Sequence, residues 1–177
     1  DTLRNIENVV GGSAADTLIG DGLDNRFAGL AGADVIDGQG GSDTADYGEK
    51  TAAVVVTLNG GTNATVTVGG VAEDTLRNVE NIIGGSGADV LTGDSKANTL
   101  IGGGGNDMLR GGLGADTLDG GDGIDTANYG DRTESVVVTL ADAADATVKV
   151  GGVAEDILRN IENVTGGSGN DQLVGDA

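Results

Sequence analysis

Aspartate recurs at a fixed place in a glycine-rich string that is itself repeated along the chain. The pattern G-G-x-G-x-D occurs five times, starting at residues 84, 102, 111, 120 and 166. Glycines let a turn take positive φ angles and bring its carbonyl oxygens close together. The aspartate adds a carboxylate beside those carbonyls, and a flexible set of hard oxygen ligands suits Ca²⁺ better than Mg²⁺ or Zn²⁺. The pattern therefore predicts calcium sites.

The string lies within a nine-residue repeat that keeps a strict register. Ten nonapeptides fit it, starting at residues 11, 20, 29, 38, 84, 93, 102, 111, 120 and 166. Degenerate copies, here called leading repeats, occupy 2–10, 75–83 and 157–165 and carry Glu7, Glu80 and Glu162 at the aspartate position. Disorder through low complexity does not predict such a register, so the pattern favours stacked structural repeats.

The predicted metal ligands are the side chains at the sixth position of each nonapeptide, together with main-chain carbonyls of nearby glycines. The sixth-position residues are Asp16, Asn25, Asp34, Asp43, Asp89, Asn98, Asp107, Asp116, Asp125 and Asp171. The glycines are Gly11, Gly29, Gly84, Gly102, Gly104, Gly111, Gly120 and Gly166. Both asparagine repeats start with Gly-Asp, so Asp21 and Asp94 are candidates to restore part of the missing charge.

Composition narrows the classes of fold and partner. The 177 residues include 35 glycines but no cysteine, histidine or proline, and they carry a net charge of −20. With so few bulky side chains, thin stacked layers are favoured over a round core. The charge argues against binding to nucleic acid or anionic membranes, and the lack of cysteine excludes disulfides and zinc-thiolate sites. High charge with few aromatic residues is also typical of disorder, which is the alternative.

Each nonapeptide is predicted to form a six-residue turn and a three-residue strand whose middle residue, at position eight, points inward. Between the blocks, residues 54–58 with 64–68, and 136–140 with 146–150, predict pairs of strands around polar turns. No stretch has helical periodicity or approaches the ~20 apolar residues of a membrane helix. The predicted organisation is a first block (1–46), a Val-rich connector (47–74), a second block (75–128), a second connector (129–156) and a truncated third block (157–177). The chain starts and stops inside repeated strings, which predicts a piece of a longer protein.

The nonapeptides resemble the RTX calcium-binding repeats of secreted bacterial proteins. This resemblance implies an all-β fold, a parallel β-roll or β-solenoid with two nonapeptides per coil. It also implies that each Ca²⁺ is held between repeats n and n+2 by sixth-position side chains and main-chain carbonyls. Alternate repeats would then form rows of ligands along the roll.

The second block contains the row expected to bind calcium best. Asp89, Asp107 and Asp125 would form it, because all three come from complete strings. The rows that contain Asn25 and Asn98 are expected to be weaker. Asp171 has no following repeat here, so its site is expected to be incomplete.

The resemblance implies a module that folds on binding several Ca²⁺ ions outside the cell. It would serve as a structural spacer and secretion-coupled folding region of a larger secreted or cell-surface bacterial protein, an adhesin, toxin or exoenzyme. The expected partners are calcium ions and the rest of that polypeptide, with a surface or polysaccharide ligand left open. Neither nucleic-acid binding nor membrane insertion is expected.

Two other functions are alternatives to this one. A calcium-dependent carbohydrate-binding module is the first alternative, since alginate epimerases carry similar repeats, although the charge of −20 disfavours a polyanionic sugar. The second is catalysis by a carboxylate pair such as Asp119 and Asp122. With no histidine and every acid explained by the repeat, the chain is predicted not to be an enzyme.

Two further recurring residue types have structural explanations. Arg4, Arg77 and Arg159 recur in register and are expected to form salt bridges. Tyr47 and Tyr129 follow equivalent blocks and are expected to cap the roll.

Overall fold

The computed structural model describes residues 6–140 and 145–175, which form nineteen β-strands and no helix. Most strands are three residues long because each nonapeptide supplies only the three residues after its turn. The strands are β1 (Asn8–Val10), β2 (Thr17–Ile19), β3 (Arg26–Ala28), β4 (Val35–Asp37), β5 (Thr44–Asp46), β6 (Val54–Thr57), β7 (Ala64–Val68), β8 (Val71–Arg77), β9 (Asn81–Ile83), β10 (Val90–Thr92), β11 (Thr99–Gly104), β12 (Met108–Arg110), β13 (Thr117–Asp122), β14 (Thr126–Asn128), β15 (Val136–Thr139), β16 (Ala146–Val150), β17 (Val153–Arg159), β18 (Asn163–Thr165) and β19 (Gln172–Val174). The predicted all-β class is confirmed.

The strands form two sheets, and consecutive repeats alternate between them. One sheet has the order β1-β3-β5-β9-β11-β13-β17-β16-β15-β19, and the other has β18-β14-β12-β10-β6-β7-β8-β4-β2. Within a block, the strands of repeats two apart pair in parallel, as Leu91 with Leu109 and Leu100 with Leu118. All antiparallel pairs among the described strands involve β7 or β16, both in the connectors.

The core is a file of side chains from the eighth position of each repeat. Leu100 lies between Ile82 and Leu118 in its sheet, and all three are buried. The inward prediction holds for Leu18, Phe27, Ile36, Leu91, Leu100, Leu109 and Leu118. Leu173 is in register with the buried Val138 and faces the same side of the sheet, but it is 41% exposed because β19 is the last strand of its sheet.

Each connector inserts a three-stranded meander into one sheet. The two strands predicted in each connector are present, as β6 with β7 and β15 with β16. A third strand, β8 or β17, turns back antiparallel and runs without a break into the following leading repeat. The first meander lies in the sheet of β4 and β10, and the second in the sheet of β13 and β19.

The two tyrosines lie inside the roll, so the capping prediction is wrong. Tyr47 and Tyr129 are each 2% exposed, at the start of the connectors. The inward residue two positions earlier is alanine in both copies, Ala45 and Ala127, and both alanines are fully buried. The small alanine leaves room for the ring that follows on the same side of the strand.

Leu100→Ala should destabilise the calcium-loaded protein by about 2–5 kcal/mol, because it opens a cavity in the middle of the core file. Leu173→Ala, at the exposed edge, should cost less than about 1 kcal/mol. Urea unfolding followed by circular dichroism measures both values. Equal losses for the two variants would contradict the assignment of the core.

Candidate metal centre

The sixth-position side chains form two rows along the edges of the sheets, joined by hydrogen bonds at a spacing of 18 residues. Asp89 N donates to Asp107 Oδ1 at 2.7 Å, and Asp107 N donates to Asp125 Oδ1 at 2.7 Å. The same bond joins Asp16 to Asp34, Asn25 to Asp43 and Asn98 to Asp116. Parallel pairing of the strands at that spacing brings one carboxylate per coil to the same edge.

Both rows continue through acids that the repeat register did not assign to them as ligands. Asp34 N donates to Asp74 Oδ1 at 2.8 Å, and Asp116 N donates to Asp156 Oδ1 at 2.9 Å. The sequence contained a usable signal, since Asp74-Thr75-Leu76 repeats the Asp-Thr-Leu string that starts at Asp16. The leading repeats also join the rows, because Glu80 accepts from Asp43 N and Glu162 from Asp125 N.

Nine of the ten turns that carry these side chains are of two kinds. In four of them, here called closed turns, the main-chain N–H of the second residue donates to the sixth-position side chain. The bonds run from Gly12 to Asp16, Asp21 to Asn25, Gly85 to Asp89 and Asp94 to Asn98, at 2.7 to 3.0 Å. In five others, the open turns, the second residue has positive φ. Those residues are Leu30 (68°), Gln39 (69°), Gly103 (104°), Gly112 (95°) and Gly121 (94°).

Every open turn leaves a buried carboxylate oxygen without a hydrogen-bond partner. These atoms are the Oδ2 oxygens of Asp34, Asp43, Asp107, Asp116 and Asp125. A buried charged oxygen with no partner is strongly unfavourable, and such groups in native proteins point to a bound ion or another missing partner. The open turns therefore present the oxygens that a cation would satisfy.

Stacking determines which turns are open. The open turns start at residues 29, 38, 102, 111 and 120, and each lies on a nonapeptide that starts 18 residues earlier. The closed turns that start at residues 20 and 93 are stacked on leading repeats. The closed turn that starts at residue 84 is stacked on a connector strand, whose Val54 N donates to Asp89 Oδ1. An unpaired oxygen thus arises wherever two nonapeptide turns are stacked.

Burial shifts the protonation of these carboxyls. Desolvation raises the pKa of Asp43 and of Asp107 to about 6, and that of Asp116 to about 7. The hydrogen bond from the preceding turn opposes each shift, while neighbouring acids, such as Glu80 beside Asp43 and Asp89 beside Asp107, add to it. Desolvation also raises the pKa of Asp89 and of Asp125.

The first glycine of each repeat lies against the sixth-position side chain. A Cβ on Gly11 would come within 2.7 Å of both Asp16 Oδ2 and the Gly29 carbonyl oxygen, closer than real Cβ atoms approach. On Gly102 it would collide with Asp107 Oδ2 and the Gly120 carbonyl oxygen. A collision with the sixth-position carboxylate is also found for Gly29, Gly84, Gly111, Gly120 and Gly166. Gly104 differs, because it lies in β11 with ordinary space for a Cβ.

The Asn98 amide has both its oxygen and its nitrogen in hydrogen bonds, and Asn25 Oδ1 accepts from Asp21 N at 3.0 Å. Asn98 Oδ1 accepts from Asp94 N at 2.8 Å, and Asn98 Nδ2 donates to the Glu80 carbonyl oxygen at 2.8 Å. Asp94 and Asp21, considered as replacement charges, instead accept N–H groups two residues on, from Lys96 and Leu23. Their carboxylates therefore stabilise local turns.

Asp171 accepts a main-chain hydrogen bond, and two of the recurring arginines form salt bridges. Asp171 Oδ1 accepts from Val136 N at 2.9 Å on a partly exposed turn. Arg77 pairs with Asp37, and Arg159 pairs with Asp145 at 2.7 Å, which confirms the salt-bridge prediction for both. Arg4 lies outside the described residues.

The open turns fit Ca²⁺ in donor type and layout. Within residues 6–140 and 145–175, no three His, Cys, Asp or Glu side chains converge to form a metal site. Each turn offers one carboxylate beside glycine carbonyls, so an ion here would draw on main-chain oxygens as well as side chains. All-oxygen coordination of this kind suits Ca²⁺ and excludes a thiolate or imidazole site.

A roll of stacked nonapeptides whose open turns each carry a buried carboxylate defines the class of calcium-binding β-repeat proteins. The model of one family, described as the RTX calcium-binding nonapeptide repeat, matches the chain in four copies, at residues 19–49, 79–95, 92–127 and 161–177. These matches cover more than half of the chain, which belongs to this family. None of the curated proteins matches it. The chain is therefore a calcium-binding repeat module.

Gly102→Ala should lower the stability of the calcium-loaded protein by about 2 kcal/mol or more, because its Cβ would meet Asp107 Oδ2 and a backbone carbonyl. Gly22→Ala is the matched control, since a Cβ there meets nothing within 4 Å. Thermal unfolding of both variants tests the packing. A Gly102→Ala variant as stable as Gly22→Ala would contradict it.

The calcium-free protein should gain stability as the pH falls from 7.5 to 5.5. A carboxyl whose pKa is higher in the folded chain stabilises the fold below its unfolded value, near 3.8, and loses this contribution as the pH rises through about 6 to 7. Melting curves in calcium-depleted buffer measure the trend. Asp116→Asn should reduce it, and melting temperatures that fall on acidification would contradict the prediction.

Proposed function

We propose that the open turns hold several Ca²⁺ ions and that their binding folds the module. The ligands would be the sixth-position carboxylates, Asp34, Asp43, Asp107, Asp116 and Asp125, with carbonyls of the first-position glycines. The observation that carries this proposal is the buried, unpaired Oδ2 atom found in every open turn. Asp16, Asp89, Asn25 and Asn98 lie in closed turns and would contribute to the rows mainly through hydrogen bonds.

Electrostatics supports a fold that depends on the ion. Neighbouring strands are ~4.8 Å apart, and at that distance two carboxylates repel by about 1 kcal/mol in water or about 3–4 kcal/mol at an effective dielectric constant of 20. Several such pairs rival the whole stability of a small domain. Bound Ca²⁺ supplies the opposite charge, and its binding energy becomes folding energy.

Such a switch suits a protein that is exported unfolded and folds outside the cell. Extracellular calcium modules bind with affinities of about 10⁻⁴–10⁻³ M, so the repeats with open turns would stay unfolded where calcium is scarce. We propose that it is a spacer and folding region of a larger secreted or cell-surface bacterial protein, released by type I secretion. In the described part of the chain, no helix has the length and apolar character to cross a membrane.

A structural role is also favoured over catalysis. Asp119, one of the acids weighed as a catalytic pair, accepts a hydrogen bond from Asn160 Nδ2 at 2.7 Å and pairs in register with Arg159. The hydrogen bond from Asn160 engages the Asp119 carboxylate, and the strand pairing holds its main chain against the second connector.

Circular dichroism of the chain titrated with Ca²⁺, and separately with Mg²⁺, tests the proposal. We expect the β signal to increase cooperatively near millimolar Ca²⁺ and to respond little to Mg²⁺, which demands a tighter octahedral site. Asp107→Asn should raise the calcium midpoint roughly three- to tenfold, because fewer ligand charges weaken a site. Asp122→Asn, on an exposed residue of the same block, is the control and should leave it unchanged.

Three outcomes would count against the proposal. A spectrum that is fully β without calcium would remove the folding switch, and one that never responds would indicate disorder. Equal midpoints for the two variants would contradict the assignment of ligands. Calcium-dependent retention on an alginate column would favour carbohydrate binding as the function of the folded roll.

A further inference from the structure

A buried basic side chain lies at the point where each connector interrupts a row. Lys50 Nζ donates to the Leu30 carbonyl oxygen at 2.5 Å and to Glu73 Oε1 at 2.5 Å. Arg132, 82 residues further along, contacts the Gly112 carbonyl oxygen and donates to Glu155 Oε1 at 2.6 Å. The side chains of Lys50 and Arg132 are only 12% and 8% exposed. Two different basic residues thus make the same pair of contacts.

The two carbonyl groups that accept from Lys50 and Arg132 each belong to the last open turn of a row. Leu30 and Gly112 are second-position residues of the turns that carry Asp34 and Asp116. Inside a row, the second-position carbonyl faces the next turn, as the Gly85 carbonyl faces Gly103 and the Gly103 carbonyl faces Gly121. At the end of the row the connector strand supplies no such turn. The basic side chain takes the carbonyl instead.

The charge of each basic residue meets a cluster of acids. Glu73 and Asp74 surround Lys50, and Glu155, Asp156 and Asp116 surround Arg132. In the second connector, Tyr129 Oη donates to Asp156 Oδ2 at 2.8 Å. In the first connector, the equivalent atoms, Tyr47 Oη and Asp74 Oδ2, are buried without a hydrogen-bond partner, so Lys50 carries the compensation of charge there. Removing one partner from a buried ionic cluster is strongly destabilising, because the other charges are left uncompensated.

The opposite side of the first connector is satisfied by N–H groups. Val54 N donates to Asp89 Oδ1 at 2.7 Å, and Gly85 N donates to Asp89 Oδ2 at 2.7 Å. Both oxygens of the first carboxylate after the connector therefore have partners. In the second connector, Val136 N makes the equivalent bond to Asp171.

We propose that Lys50 and Arg132 are tethered cations that replace Ca²⁺ at the ends of the rows, so that each connector folds without calcium. The open turns between the connectors would then fold onto these preformed elements when calcium binds. The inference rests on the proposed function for those turns, but it concerns the calcium-free chain.

Hydrogen–deuterium exchange of the full chain in calcium-depleted buffer, read by mass spectrometry, tests the proposal. Residues 54–77 and 146–159 should be protected without calcium, while 102–128 should gain protection only when calcium is added. Lys50→Met should reduce the protection of 54–77 at least tenfold and leave 146–159 intact. Arg132→Met should do the reverse, so each variant contains its own control.

Lys50→Arg separates charge from shape, because the second connector already uses arginine at the equivalent place. It should keep the protection of 54–77. The proposal is overturned if wild-type connectors exchange freely without calcium, if Lys50→Met changes nothing, if it unprotects both connectors together, or if Lys50→Arg fails as Lys50→Met does. Failure of the proposed function would appear elsewhere, as 102–128 remaining unresponsive to calcium.

Discussion

The architecture depends on the coupling between parallel strand pairing and the stacking of like charges. Each complete repeat that adds an eighth-position side chain to the core also adds a sixth-position carboxylate to the edge, because the carboxylate lies at the end of the turn, two residues before the inward residue of the strand. The core therefore lengthens a row of acids as it grows, except where asparagine or a connector valine takes the sixth position. One carboxylate oxygen is stabilised by the N–H of the preceding turn. In the open turns, the second oxygen has no hydrogen-bond partner and is available to a cation from the solvent.

Hydrogen bonds and charges divide the roll into two kinds of region. Near the leading repeats and connectors, second-position N–H groups and basic side chains satisfy acids such as Asp89 and Glu73 from within the chain, whereas Asp74 Oδ2 stays unpaired. Farther along each block, the backbone at the second position turns to positive φ, even at Leu30 and Gln39, where this conformation costs of order 1 kcal/mol. In some coils the carboxylates thus find partners within the chain, and in others they depend on an external cation.

The connectors keep the roll continuous while changing its composition. Each replaces one nonapeptide strand by a meander of alternating apolar and polar residues, and a buried tyrosine beside an alanine fills the space where the coil widens. Valine takes the sixth position in the strand that follows, at Val54 and Val136, so no acid is added there. These substitutions end one row and start the next without exposing the core.

The sequence alone determined the period, the inward and ligand positions, the all-β class and the family, because these follow from local turn chemistry and strand alternation. Tertiary structure decided which carboxylates remain unpaired. Asp89 belongs to a complete G-G-x-G-x-D string yet lies in a closed turn, whereas Asp43 belongs to an incomplete one and lies in an open turn. The difference arises from what lies beneath each turn, a connector strand or another nonapeptide. Asp74 and Lys50 likewise reach the rows only through the fold of a connector, over 40 and 20 residues. Contacts at those separations depend on how the inserted strands pair, which no nine-residue pattern encodes.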